Sequence, residues 1–219
     1  MAVDGPAGAG KSTVARLLAQ ELGYTYLDTG AMYRSVALLA RRRGVSWDDA
    51  GALGLLADGI RFAFVTGTGG IRVWADGEDV SDLIRRPEIS QGASQVARWP
   101  EVRSALVREQ RRLGEAGGVV MEGRDIGTVV FPEAEAKIFL TATVGERARR
   151  RAAELAGAGG PADLEAVRRE VEERDRRDSE RAHSPLRRAE DAREFYTDGL
   201  TVPEVVRQLA AWVRAVETR

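Results

Sequence analysis

The chain contains no cysteine and no asparagine, a single histidine, and only two lysines among its 33 basic residues. Without cysteine there can be no disulfide framework, thiol nucleophile or thiolate metal site. Without asparagine the Asn-Lys-x-Asp guanine pattern of a GTP switch cannot be written. His183 has nothing around it that marks a role, so no acid–base function is assigned to it. No apolar run approaches the ~18 residues of a membrane-spanning helix. Little chain precedes Gly5 that could act as a secretory leader, so a soluble, cytoplasmic protein is expected. The net charge of −1 argues against a whole-protein nucleic-acid or membrane footprint. The 219 residues suit one domain with appendages.

The scarcity of lysine gives Lys11 weight. Gly5-Pro6-Ala7-Gly8-Ala9-Gly10-Lys11-Ser12 fits, at every fixed position, the glycine, four free residues, Gly-Lys-Ser/Thr pattern of a phosphate-binding P-loop. Glycines let successive backbone N–H groups turn toward a polyphosphate. The following helix adds its positive end, Lys11 would reach the β- and γ-phosphates, and Ser12 would offer a hydroxyl to Mg²⁺. Val14, Leu17, Leu18 and Leu22 recur at helical spacing, and Gly23 closes the helix. Upstream, Met1-Ala2-Val3 is short for a strand that should be central, through either a short native strand or loss of preceding residues. A form with more residues ahead of Met1 is expected to be the more stable one.

Beyond the loop, strand-like and helical segments alternate, which predicts an α/β parallel sheet. Strands are expected at residues 24–27, 118–121, 136–140 and, more weakly, 194–197. Helices are expected over 32–43, from about Glu146, over 164–182 and over 202–216. Two stretches interrupt the alternation. Ile60, Phe62, Phe64, a turn from Thr66 to Gly70, then Ile71 and Val73 suggest an inserted antiparallel hairpin. A Gly/Ala/Pro hinge from Gly157 to Pro161 precedes the highly charged helix.

Arg174, Asp178 and Arg181 share one face of that helix. The spacing accommodates a solvated helix laced with ion pairs and equally a set of arginines brought onto a phosphoryl group. The excess of arginine over lysine has a general cause in a GC-rich genome or a hot habitat. It also suits local phosphate clamping. Arg124-Asp125 reads alone as a structural ion pair, and Asp28 as a helix cap before Thr29 and Gly30.

Five ordered blocks across nearly the whole chain resemble the bacterial cytidylate (CMP/dCMP) kinases. They are Asp4 through Ser12, Leu27 through Arg34, Ala93 through Ala97 with Pro100 and Val102-Arg103, Glu122 through Pro132, and Glu173-Arg174-Asp175 with Arg177, Asp178 and Arg181. The resemblance implies an α/β fold of P-loop NTPase type: a parallel sheet core flanked by helices, an inserted small antiparallel β substrate-binding region and a helical lid. The implied parts are a core of residues 1–34, 100–150 and 190–219, a CMP-binding region of 35–99, and a lid of 151–189. Implied ATP-binding residues are Gly5, Pro6, Ala7, Gly8, Ala9, Gly10, Lys11, Ser12 and Thr13, with Ser12 toward Mg²⁺. Ser94, Arg103 and Asp125 would read cytosine, and Thr29, Arg34 and Arg124 would hold the CMP phosphate. Arg174 and Asp178 would serve the ribose side and Arg181 the phosphate cluster. Lys11, Arg124, Arg174 and Arg181 are the catalytic candidates.

The implied reaction is transfer of the ATP γ-phosphoryl group to CMP or dCMP, by a monomer with no nucleic-acid or membrane partner. A P-loop kinase of UMP, dTMP or a sugar-like alcohol is the rival, followed by a non-metabolic ATP-binding switch. The segments 141–147 and 194–198 depart from the family pattern: the first lacks an acidic residue after Leu140, the second the usual apolar-then-Asp-Thr order.

Overall fold

A computed structural model describes residues 1–67, 70–157 and 163–218. The chain divides into two compact units, Met1–Tyr26 with Gly118–Arg219, and Leu27–Gly117. The main sheet has five strands in the order β2-β6-β1-β7-β8. These are β1 (Ala2–Asp4), β2 (Thr25–Asp28), β6 (Val119–Gly123), β7 (Lys137–Thr141) and β8 (Arg193–Tyr196). The β1·β6, β1·β7 and β7·β8 ladders are parallel.

The central strand is only three residues long and buried throughout. Both of its edges are used: Ala2 lies opposite Met121 on one side and Lys137 on the other. The Met1 amine donates to the Val119 carbonyl (2.9 Å) and the Ala2 amide to the Ala136 carbonyl (2.8 Å). Its neighbours β6 and β7 bring the apolar bulk, with Val120, Met121, Ile138 and Leu140 almost fully buried.

Around this sheet lie α1 (Lys11–Leu22), α6 (Val144–Gly157), α7 (Leu164–Glu180) and α8 (Val202–Glu217). Helix α1 ends where expected, at Gly23 in the left-handed conformation. Helix α8 starts on a capping box of Thr201 and Glu204 and buries Leu209 and Val213. Ala152 and Leu155 of α6 pack against Val167 and Val171 of α7. The expected hinge from Gly157 to Pro161 lies, apart from Gly157, outside the described residues. Helix α7 stops at Glu180, so Arg181 is extended and lies just past the helix rather than on it.

The two departures from the family pattern meet each other. Thr143 donates through its amide and its Oγ1 to Asp198 (3.1 and 2.6 Å). The weak apolar character of β8 follows from its place at the sheet edge, where only Phe195 of the strand is buried.

The second unit contains α2 (Thr29–Arg42), α3 (Ala50–Gly59), an antiparallel sheet β3-β4-β5, α4 (Pro87–Val96) and α5 (Pro100–Gly114). The hairpin pairs β3 (Phe62–Gly67) with β4 (Gly70–Ala75); residues 68 and 69 of its turn lie outside the described set. A third strand, β5 (Glu78–Asp79), returns through Asp76-Gly77, both with positive φ (51° and 80°). That Asp-Gly pair is a strong sequence signal for a tight hairpin. Leu39, Leu53, Ile60, Ile84, Ile89 and Leu106 meet in this unit's core. Among the described residues no helix is long and apolar enough to cross a membrane.

Gly92 on α4 is closely packed. A Cβ there would stand 2.5 Å from the Trp47 ring, which is pinned by its indole N–H to the Ala37 carbonyl (3.1 Å). Gly92→Ala should cost about 1–3 kcal/mol. Each kcal/mol lowers the melting temperature by about 2–4 °C in a chain this long. An unchanged melting curve would mean that Trp47 is not held as tightly as its contacts indicate.

Candidate active site

The loop between β1 and α1 runs from Gly5 to Gly10 in a conformation that only glycine suits at its ends. Gly5 has φ 149°, and a Cβ on it would lie 2.0 Å from the Leu140 carbonyl oxygen. Gly10 is left-handed and forms the N-cap of α1. Lys11 folds back over the loop, buried, and its Nζ donates to the Pro6 carbonyl (2.7 Å). Burial, then the neighbouring Arg124 and Arg174, push the Lys11 ammonium down to about 7. Ser12 and Thr13 are exposed on the first helical turn. The loop therefore brings together a helix N-terminus and the buried Lys11 side chain.

Asp4 joins this loop to the second glycine-bearing motif. Its carboxylate accepts from the Ile126 amide (2.8 Å) and the Gly127 amide (2.7 Å), directly after Arg124-Asp125. The chain from Ile126 to Val130 then winds as a single π turn, with the Val129 and Val130 amides donating to the Asp125 carbonyl. Arg124 does not pair with its neighbour Asp125, the default sequence reading. Its Nε donates to Asp178 on α7 (3.0 Å). Arg181 lies 3.7 Å from the same carboxylate. Burial works against ionisation of Asp178, but Arg124, Arg174 and Arg181 together hold its carboxyl below the usual range. The structure thus gathers Arg124, Arg174, Asp178 and Arg181 within the first unit.

Helix α7 carries on its exposed side the ion pairs of the first reading and turns a different set of residues inward. Arg168–Glu172, Arg176–Glu173 and Arg176–Glu180 pairs lace the exposed side. Val171, Arg174, Asp175 and Asp178 form the turned-in stripe.

In the second unit, Asp28 caps α2 by accepting from the Ala31 amide (2.9 Å) and also takes the Arg34 Nη2 (2.7 Å). Thr29 is buried as the first residue of that helix. A Cβ on Gly30 would come within 3.1 Å of Arg34 Nη1, so glycine leaves that guanidinium its space. The Arg34 Nε is buried without a hydrogen-bond partner. Ser94 is half-buried on α4. Arg103 on α5 is buried, 5.4 Å from the Tyr33 ring centroid, and donates to the Ala97 carbonyl (3.3 Å).

Two acidic groups and two arginines were passed over in the sequence. Glu122, the penultimate residue of β6, lies beside the strand that feeds the loop, is buried, and accepts from the Tyr26 hydroxyl. An acid near the end of an apolar strand next to a P-loop strand is the position that helps hold Mg²⁺ in such proteins, and that was its available signal. Arg150 donates to the Ala9 carbonyl (3.4 Å) and to Thr197 (2.8 Å), bracing the loop's far end. Arg147 and Asp175 also converge on the loop, and no short-range sequence signal pairs them.

A glycine loop leaving the middle strand of such a parallel sheet, with a lysine folded over it, defines a P-loop protein. The particular family follows from comparison with known proteins. Residues 1–215 match the family model described as Cytidylate kinase, and the chain belongs to that family. It is 53% identical to the cytidylate kinase of Pelotomaculum thermopropionicum, over 98% of this chain and 96% of that one. It is 50% identical to the cytidylate kinase of Geobacter sulfurreducens, over 99% of this chain and 93% of that one. A bifunctional pantoate ligase/cytidylate kinase of Synechococcus sp. (strain JA-2-3B'a(2-13)) is 53% identical over 94% of this chain; the chain spans 38% of that relative's length.

Asp4 should leave a mark on the pH dependence of stability. Burial, partly opposed by its two amide bonds, pushes its carboxyl up to about 6; Asp125 raises it further and Lys11 lowers it. The native state therefore holds this proton more tightly than the unfolded chain does. Its contribution falls as pH rises from ~4 to ~6, by about 3 kcal/mol in all, and is flat above. Denaturant titrations should show that decline in the wild type and a shallower one in Asp4→Asn. Equal slopes would contradict the assignment.

Proposed function

We propose that the protein transfers the γ-phosphoryl group of ATP to CMP or dCMP, giving CDP or dCDP and ADP. The observation that carries this reading is the cluster of Arg124, Arg174 and Arg181 around Asp178, in the same unit as the loop-bound Lys11. The Lys11 ammonium donates to the Pro6 carbonyl and the Arg124 guanidinium to Asp178, so the cations suited to phosphate lie close to the loop. The cytidylate kinase relatives support the choice of acceptor.

The loop from Gly5 to Thr13 binds the ATP polyphosphate, with Lys11 exchanging the Pro6 carbonyl for phosphate oxygen. A CMP phosphate oxygen attacks the γ-phosphorus in line, and ADP leaves. That oxygen is already anionic near neutral pH, so no strong general base is required. Catalysis is then positioning and charge. Lys11, Arg174 and Arg181 stabilise the transferring group, and Arg124 with Thr29 and Arg34 holds the acceptor phosphate. Arg174 and Asp178 serve the ribose side. The lid of this reading is the 151–189 segment, which carries Arg174, Asp178 and Arg181.

Ser94, Arg103 and Asp125 read the base. Cytosine presents an N4 donor beside N3 and O2 acceptors, which asks for a carboxylate and hydroxyl to accept and an arginine to donate. Uracil inverts two of those groups and leaves buried partners unmatched, at ~1–3 kcal/mol each.

Mg²⁺ accompanies ATP in this class of reaction. The donors present fit a hard cation: the exposed Ser12 hydroxyl on the first turn of α1, and the Glu122 carboxylate near the end of β6. Among the described residues no group of three or more His, Cys, Asp or Glu could hold a metal alone. Phosphate oxygens and water would complete the shell. When bound, the ion neutralises charge on the β- and γ-phosphates.

Two measurements test the reading. In an ADP-release assay across CMP, dCMP, UMP and dTMP, CMP or dCMP should exceed UMP in kcat/KM by roughly 30-fold or more. A preference for UMP would overturn the cytosine assignment. Arg181→Ala should lower kcat by about 10³-fold or more, in the range of an arginine that meets transition-state charge. Turnover within about tenfold of wild type, with the fold intact, would remove Arg181 from the reacting centre.

A further inference from the structure

Arg147 and Asp175 have no part in the mechanism above, yet both end on the donor loop. Arg147 starts the buried side of α6, and its side chain is only 6% exposed. Its Nε donates to the Ala142 carbonyl (3.0 Å), and its Nη1 to the Ala7 carbonyl (3.0 Å) and to Asp175 Oδ2 (2.5 Å). Asp175 comes from the turned-in stripe of α7 and offers its other oxygen to the Ala7 amide (3.3 Å). One ion pair thus holds both backbone groups of one loop residue: the cation takes the carbonyl and the anion takes the N–H. The Arg147 backbone also closes on the next residue. A Cβ on Gly8 would lie 3.0 Å from the Arg147 carbonyl oxygen.

Stability alone does not call for such an arrangement. A largely buried ion pair is often matched or bettered by apolar residues of the same volume. What an ion pair adds is direction, because each of its partners must be met at a set distance and angle. Here the directed contacts fall on Ala7, between the two ends of the phosphate-binding loop. They come from two helices, of which α7 also carries Arg174 and Asp178.

We infer that Arg147 and Asp175 are positioning residues for the donor loop. They fix the Ala7 peptide groups so that the loop is shaped for the γ-phosphoryl group only while α7 is seated. The inference rests on the kinase reading for its catalytic consequence, though not for the loop contact itself. Neither side chain touches the reacting atoms; they act through the backbone of Ala7 and Gly8.

The test uses Asp175→Asn, Asp175→Glu, Arg147→Met and the Asp175→Asn/Arg147→Met pair in the full chain. Asparagine keeps the shape of Asp175 but sets an N–H against either Arg147 or the Ala7 amide. Its kcat with ATP and CMP should fall by about tenfold or more while KM for CMP stays within about twofold, the split expected of a group acting on the chemical step. Asp175→Glu, which keeps the charge, should retain more activity than Asp175→Asn. The double variant should be no slower than the slower single variant, since either change breaks the same clamp.

Amide hydrogen exchange over residues 5–10, measured without nucleotide, should speed up in Asp175→Asn. That readout is independent of turnover and does not need the Arg147 variants to fold. A kcat for Asp175→Asn within about twofold of wild type, losses that multiply in the double variant, or unchanged loop exchange would each overturn the inference. If the wild type phosphorylates no nucleoside monophosphate, the kinase reading fails, and the exchange result still decides whether the pair holds the loop.

Discussion

The two hydrogen bonds that Asp4 accepts from Ile126 and Gly127 are the contact on which the first unit's site is built. Asp4 is the last residue before the donor loop, and Ile126 is the first after Arg124-Asp125. The carboxylate therefore sets two functional segments in register, although 122 residues separate them in the chain. Burying a carboxylate is costly, and here the cost is offset by two short, charge-assisted bonds to backbone donors. Gly127 completes the joint: a Cβ there would come within 3.2 Å of Lys137 and 3.4 Å of Asp4.

Charge is arranged in the same economical way around that joint. Arg124 meets Asp178, Arg147 meets Asp175 and Lys11 meets a carbonyl, so each of these buried groups has an acceptor within the protein. In the proposed reaction, polyphosphate takes the place of these acceptors, an exchange of partners. Arginine suits that exchange better than lysine, because it stays charged when buried and its planar fork can face a carboxylate and a phosphate alike.

Much of this could be read from the chain, because the informative contacts are local. The glycine loop, Lys11, the cap at Asp28, the helix end at Gly23 and the Ile60–Val73 hairpin each declare themselves within a few residues. The helices α3, α4 and α5 were not read, since α3 carries glycines and α4 is short and polar at its ends; their apolar residues meet only in the tertiary core. Spacing also hides the partner of Arg124. Adjacent opposite charges suggested an Arg124–Asp125 pair, whereas the partner lies 54 residues away on α7. Glu122 and the Arg147–Asp175 contact on Ala7 escaped for the same reason: strand order and helix docking create them, and neither is written in spacing.

The three-residue central strand also bears on how this chain comes to be folded. Strand β1 is made well before its neighbours on either side, which begin at Val119 and Lys137. At ribosomal speeds of ~5–20 residues per second, the second neighbour emerges on the order of ten seconds after the first strand. Until then an apolar start and a glycine-rich loop have no sheet to join. Closing such long loops before any reward is collected is the slow route in folding. The donor loop is consequently translated long before the strands that flank it, and it acquires its working shape only once they have joined.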